Sequence, residues 1–143
     1  LSRMTEFVEK KMNKLKFSQK LLQKEEKKLG SKEEELIISA TEVPYDICCN
    51  DELIYQTLTE AAQLMGMKIR ASASYRCGAN SPPGAICFVM VDQSFVYTHT
   101  FADINRMTIR VFTCGESSPM IGWNYIKKKL GINKFTIKRE LLE

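Results

Sequence analysis

The feature that most limits how this chain can fold is a succession of extended runs with very little chain between them. Residues 85–91, Ala-Ile-Cys-Phe-Val-Met-Val, are continuously apolar and read as a buried strand. Phe95–Phe101 continues extended, Ala102–Asn105 turns, and Arg106–Cys114 returns as a strand with Met107, Ile109 and Val111 alternating. Parallel neighbours need a crossover of about a dozen residues, so strands joined this closely pair antiparallel. Leu36–Val43, ended by Pro44, and Met67–Cys77, with Ile69 and Ala71 on one side, add two strands, and Phe135–Lys138 makes a last one.

Two helices interrupt the strands. Asn50 or Asp51 caps one that runs to about Met65, with Leu53, Ile54, Leu58, Ala61, Ala62 and Met65 inward and Gly66 at its end. Ser118-Pro119 supplies an N-cap and a first-turn proline for another, which reaches about Leu130 and stops at Gly131. The clearest loop is Gly78–Gly84. Two helices suffice to cover one face of the sheet. The expected fold is therefore α+β, a two-layer sandwich with a largely antiparallel sheet and its helices on one face.

The first 33 residues read differently. Val8, Leu15, Leu22 and Leu29 recur every seven positions with Met12 between them, which predicts a helix over 4–29. Gln19 and Glu26 interrupt its apolar stripe, so it is expected to lie on the domain or on a partner. Gly30-Ser31 breaks it, giving an N-terminal helical extension, 1–33, and a domain, 34–143. Charge divides at the same point. Residues 1–33 hold ten of the 21 Lys and Arg and five of the 17 Asp and Glu. The domain is thus slightly acidic, without the basic stripe expected of a nucleic-acid binder.

Other classes fall away on motifs. No apolar stretch reaches the roughly 18–20 residues of a membrane span, and the Lys/Glu-rich start predicts no secretory signal, hence a cytoplasmic protein. Five cysteines without a CxxC spacing read as reduced thiols, and with one histidine a metal site is not expected. Walker, GxGxxG, GxSxG and HExxH motifs are missing.

The chemistry concentrates in Asp92-Gln93-Ser94-Phe95-Val96-Tyr97-Thr98-His99-Thr100 and Val111-Phe112-Thr113-Cys114-Gly115. One strand brings a hydroxyl and the sole imidazole, and the next ends in a thiol at a Cys-Gly corner. Each residue alone has an ordinary structural role. Ser94 and His99 also differ in strand parity, so they converge only if the chain bends or bulges between them.

Together these residues resemble the prokaryotic-type S-adenosylmethionine decarboxylases, whose signature is a Glu-Ser processing site, a His-Thr-Trp-Pro-Glu run and a Tyr/Phe-Thr-Cys-Gly corner. Ser94, His99 and Cys114 fall at that family's spacings, and Phe112-Thr113-Cys114-Gly115 matches directly. The similarity extends over about residues 35–140.

The resemblance implies a proenzyme that cleaves itself between Gln93 and Ser94 into a β chain, 1–93, and an α chain, 94–143. It implies a covalent pyruvoyl cofactor made from Ser94, which forms a Schiff base with the substrate. His99 would assist processing and Cys114 would donate the proton after decarboxylation. The implied product is the aminopropyl donor for spermidine synthesis, made by a homodimer of processed units. Gln93 stands where the family has Glu, and Phe101-Ala102-Asp103 replaces Trp-Pro-Glu, leaving Phe101 and Asp103 as candidate substrate-binding residues. Ile86-Cys87 replaces a Ser-Gly pair on the preceding strand. Two alternatives stay open. One is the same chemistry on arginine or ornithine, with Asp103 or Asp92 facing the distal cation. The other is a non-processing homologue that acts as a partner subunit.

Overall fold

A computed structural model describes residues 2–26 and 32–142. The order is α1 (Ser2–Glu26), β1 (Glu33–Thr41), α2 (Tyr45–Cys49), α3 (Asp51–Leu64), β2 (Ile69–Cys77), β3 (Gly84–Val91), β4 (Ser94–Phe101), a 3₁₀ turn (Ala102–Ile104), β5 (Arg106–Cys114), α4 (Pro119–Leu130) and β6 (Lys134–Leu142). The six strands form one sheet in the order β2-β3-β4-β5-β1-β6, with every neighbouring pair antiparallel. Short turns join β2 through β5, as the sequence requires. β1 lies inside the sheet, between β5 and the edge strand β6, and α2 and α3 carry the chain from it across to β2 at the opposite edge.

Both long helices of the domain lie on one face. Ile54, Leu58 and Ala61 from α3, Met65 at its C-terminal cap, and Trp123 and Ile126 from α4 meet Leu36, Ile38, Val89, Val96, Ile109 and Val111 from the sheet. Each fully buried side chain of this size contributes about 1.5–3 kcal/mol. The helices approach closely at Gly122, where an added Cβ would sit 2.8 Å from Met65 Sδ. Asn50 caps α3 by accepting from Leu53 N at 3.1 Å. Ser118 precedes Pro119 as expected, but its side chain caps nothing.

Three expectations change. The sequence shows no sign of the one-turn α2, which fits between Pro44 and the Asn50 cap. A bulge between Ile69 and Ala71 pairs them with Val91 and Met90, so they do not share a side; Ala71 turns to the open face. β6 extends four residues past Lys138, because β1 offers a partner along its whole length.

The N-terminal helix forms, but Val8 and Leu15 of its heptad stripe do not pack on the domain. Val8 and Leu15 are exposed, as are Met4, Phe7 and Phe17, while Gln19 is buried with its amide nitrogen unpartnered. α1 touches α3 over only a short stretch. The expected end of this helix at Leu29 and its break at Gly30-Ser31 lie outside the described residues. Among the described residues no helix is long and apolar enough to cross a membrane.

Candidate active site

The β3–β4 hairpin turns on two residues, Asp92 and Gln93, and Val91 pairs with Ser94 beneath them. Gln93 takes a left-handed conformation at φ 59°, uncommon for a residue with a side chain. Asp92 fastens the turn to the edge strand through two bonds from Arg70, at 2.6 and 2.7 Å. That guanidinium holds the Asp92 carboxyl below its ordinary range. Asp92 is therefore already engaged by a cation of the chain itself.

Ser94 opens β4 with its side chain buried on the helix-covered face. Its Oγ accepts the backbone N–H of Cys114 at 3.1 Å. The Cys114 thiol lies on the other side of the same peptide and donates to the Gln93 carbonyl at 3.0 Å. The Cys-Gly corner is pinned in turn, because Gly115 N donates to Lys32 O at 3.0 Å. One residue thus holds both the Ser94 hydroxyl and the carbonyl oxygen of the Gln93–Ser94 bond. The Cys114 thiol is pushed above its ordinary pKa, first by burial and then by the charge of Glu33, while the Ser94 hydroxyl pulls it slightly down.

His99 is elsewhere. β4 is regular along its length, with alternating burial and an unshifted register to β3, so no bend or bulge brings Ser94 and His99 together. At about 3.3 Å per residue the imidazole stands some 16 Å along the strand, on the open face. It lies opposite Ile86 on β3 and Thr108 on β5, and its ring centroid is 4.3 Å from that of Phe101. Asp103 sits in the 3₁₀ turn beyond the strand end, near enough to raise the pKa of Tyr45 on α2 as a lesser cause behind Cys49. Gly84 anchors this end of the sheet. A Cβ there would meet Thr100 O at 2.2 Å.

The candidate residues therefore divide in two. Gln93, Ser94 and Cys114 meet at one end of the sheet, and His99 and Phe101 meet at the other. Between them the open face carries stacked rings, Phe88 on Phe95 at 5.7 Å and Phe95 on Phe112 at 5.3 Å. Arg70 and Glu33 escaped the sequence reading. The only signal for Glu33 was an acidic triplet, Glu33-Glu34-Glu35, opening a strand.

A model of the S-adenosylmethionine decarboxylase family matches residues 34–140. An S-adenosylmethionine decarboxylase proenzyme of Geobacillus sp. (strain WCH70) is 35% identical over 80 residues, 56% of this chain; the alignment spans 62% of that protein, under two thirds of its length. One from Caldicellulosiruptor saccharolyticus is 31% identical over 102 residues, covering 68% of this chain and 80% of that one. An arginine decarboxylase proenzyme of Caldivirga maquilingensis is 32% identical over 88 residues, 61% of this chain and 66% of that protein. The crystal structure of the adenosylmethionine decarboxylase from Aquifex aeolicus shares the fold at a TM-score of 0.66 and 20% identity, over 76% of this chain and 88% of that one.

Proposed function

The chain belongs to the S-adenosylmethionine decarboxylase family, and from that premise we propose that it is a self-cleaving decarboxylase whose reactive carbonyl is made from Ser94. The observation that carries this reading is the double hold of Cys114 on the Gln93–Ser94 peptide. Ser94 Oγ attacks the Gln93 carbonyl carbon and converts the amide to an ester. The thiol of Cys114 is a donor aimed at the oxygen on which negative charge develops, the arrangement that stabilises such a transition state. Elimination from the ester then separates chains 1–93 and 94–143, leaving a carboxylate on Gln93 and dehydroalanine at position 94, which water hydrolyses to the pyruvoyl ketone with release of ammonia. Gln93 in place of Glu does not alter this step, because the carbonyl attacked belongs to the backbone.

A pyruvoyl group fits the position of Ser94, whose side chain is 6% exposed beside a thiol and a strained turn. When present, it supplies a carbonyl that takes the substrate's α-amine and draws electrons from the bond to the carboxylate. The neighbouring Cys114 holds a proton for the α-carbon once carbon dioxide has left. That task wants a thiol and not a thiolate, and burial and the Glu33 charge both act in that direction.

We read the open face as the surface on which a second copy packs. Two copies laid face to face about a two-fold axis that runs across the strands set the His99 end of one over the Ser94 end of the other. This gives His99 access to a peptide that it cannot reach within its own chain. Phe101 and Asp103 then belong to the same composite site, offering a ring to a nucleobase and a carboxylate to a diol. S-adenosylmethionine is the substrate this favours, giving the aminopropyl donor for spermidine synthesis. Arginine is the second reading, favoured by the Caldivirga relative.

Intact mass under denaturing conditions tests the proposal. Two species divided between Gln93 and Ser94 are expected; a single 16.4 kDa chain that stays whole would favour a non-processing partner subunit. Mixing Ser94→Ala with His99→Ala chains should restore partial splitting if the sites are shared, and none if they are not. Product assays with each amino acid then fix the substrate.

A further inference from the structure

Glu33 and Cys114 face each other directly across the β1–β5 pair. The bond from Gly115 N to Lys32 O makes this one of the non-hydrogen-bonded pairs of the ladder, the kind whose side chains stand closest. In such pairs the Cβ atoms are about 4.5–5.5 Å apart on the same face. The carboxylate of Glu33 is thus set beside the thiol that holds the Gln93 carbonyl. We propose that Glu33 is a positioning residue that keeps Cys114 in its protonated form, and so fit to donate a proton.

Other charges surround the thiol, and each has a different place. Glu35, two residues along β1, accepts from Arg110 at 2.7 Å. Asp92 in the β3–β4 turn is clasped by Arg70. Lys32 and Glu116 flank the corner and hold interactions of their own. From β6, the residue opposite Glu33 is the uncharged Leu142. Glu33 is the charge that acts on the thiol, in the same direction as its burial. A negative charge disfavours the thiolate, so removing it makes the thiol more acidic.

The catalytic meaning of this inference rests on the decarboxylase reading, but the thiol can be titrated without turnover. The experiment is alkylation of the full chain by iodoacetamide across the pH range, with labelling read at the Cys114 peptide by mass spectrometry. Glu33→Gln should move the labelling midpoint down by about half a pH unit, the size expected for charges about 5 Å apart in a watery medium. Labelling on the acidic side should rise roughly threefold. Glu33→Asp and Glu35→Gln should leave the midpoint in place, and about 1 M salt should shift it in the parent protein but not in Glu33→Gln. An unchanged midpoint in Glu33→Gln, or an equal shift in Glu35→Gln, overturns the proposal. If the midpoint moves in a chain that never splits, Glu33 keeps this role and the decarboxylase reading falls. If the chain does turn over, the alkaline limb of its pH–rate profile should move with the thiol.

Discussion

The two faces of the sheet are built on opposite principles. Beneath α3 and α4, alternate residues of β1, β3 and β5 such as Leu36, Ile38, Val89, Ile109 and Val111 are aliphatic and fully buried, and Trp123 fills the space between helix and sheet with its ring 5.1 Å from Phe135. On the other face, half-exposed rings form a ladder, and toward β1 and β6 it gives way to ion pairs such as Glu35–Arg110 and Lys138–Glu140. The covered face holds by volume, where a lost side chain leaves a cavity. Exposed ion pairs contribute little individually, so the open face is free to serve assembly and chemistry. The Gln93–Ser94 peptide sits where the two meet. Ser94 belongs to the covered face and Cys114 to the open one, and they touch at the end of the sheet.

This division can be broken in several ways. The largest effect should come from Ser94→Ala, which removes the proposed nucleophile and should abolish splitting, at a cost of about 1–2 kcal/mol for the lost bond from Cys114 N. Normal splitting by gel or mass in that variant would sink the mechanism. Trp123→Ala should do the reverse, costing about 3–5 kcal/mol of stability in urea titration. A loss below about 1 kcal/mol would show that the covered face is not what holds the fold.

Cys114→Ala comes next. It should still split, more slowly for want of a donor to the Gln93 carbonyl, and its turnover should fall about a hundredfold. Full turnover without the thiol would remove its role as proton donor. The smallest effect concerns pH. Burial pushes the Cys87 thiol up to about 12 and Cys48 up to about 11. Their neutral forms are favoured in the folded state, so the stability they confer is complete below the pKa of an unfolded thiol. It fades as pH rises toward the folded values. The urea midpoint should therefore decline between about pH 8 and pH 11, and less steeply in Cys87→Ala; equal slopes would remove Cys87 from this account.

The architecture was largely legible. Alternation in Arg106–Cys114, the apolar run before Asp92 and the Asn50 and Pro119 helix starts are local signals, and each marks an element in the right place. The rest depended on partners distant in sequence. Residues 139–142 carry no strand pattern of their own, yet they pair with β1, and the bulge after Ile69 is set by the register to β3. At the candidate site, the family resemblance pointed to Ser94, Cys114 and His99 but not to their separation. The parity mismatch between Ser94 and His99 was visible, and the regular ladder of β4 resolves it by keeping them apart.

What the sequence by itself determined is the set of strands, the two long helices of the domain, the antiparallel hairpins and the types of candidate reactive groups. These follow from side-chain periodicity and from turns too short for a crossover. Only the tertiary structure decided that β1 lies between β5 and β6, and with that placement that Glu33 faces Cys114 across the ladder. Eighty-one positions apart in the chain, they become neighbours because α2 and α3 carry the strand away from its sequence neighbours, and no local pattern records which distant strand will pair with it.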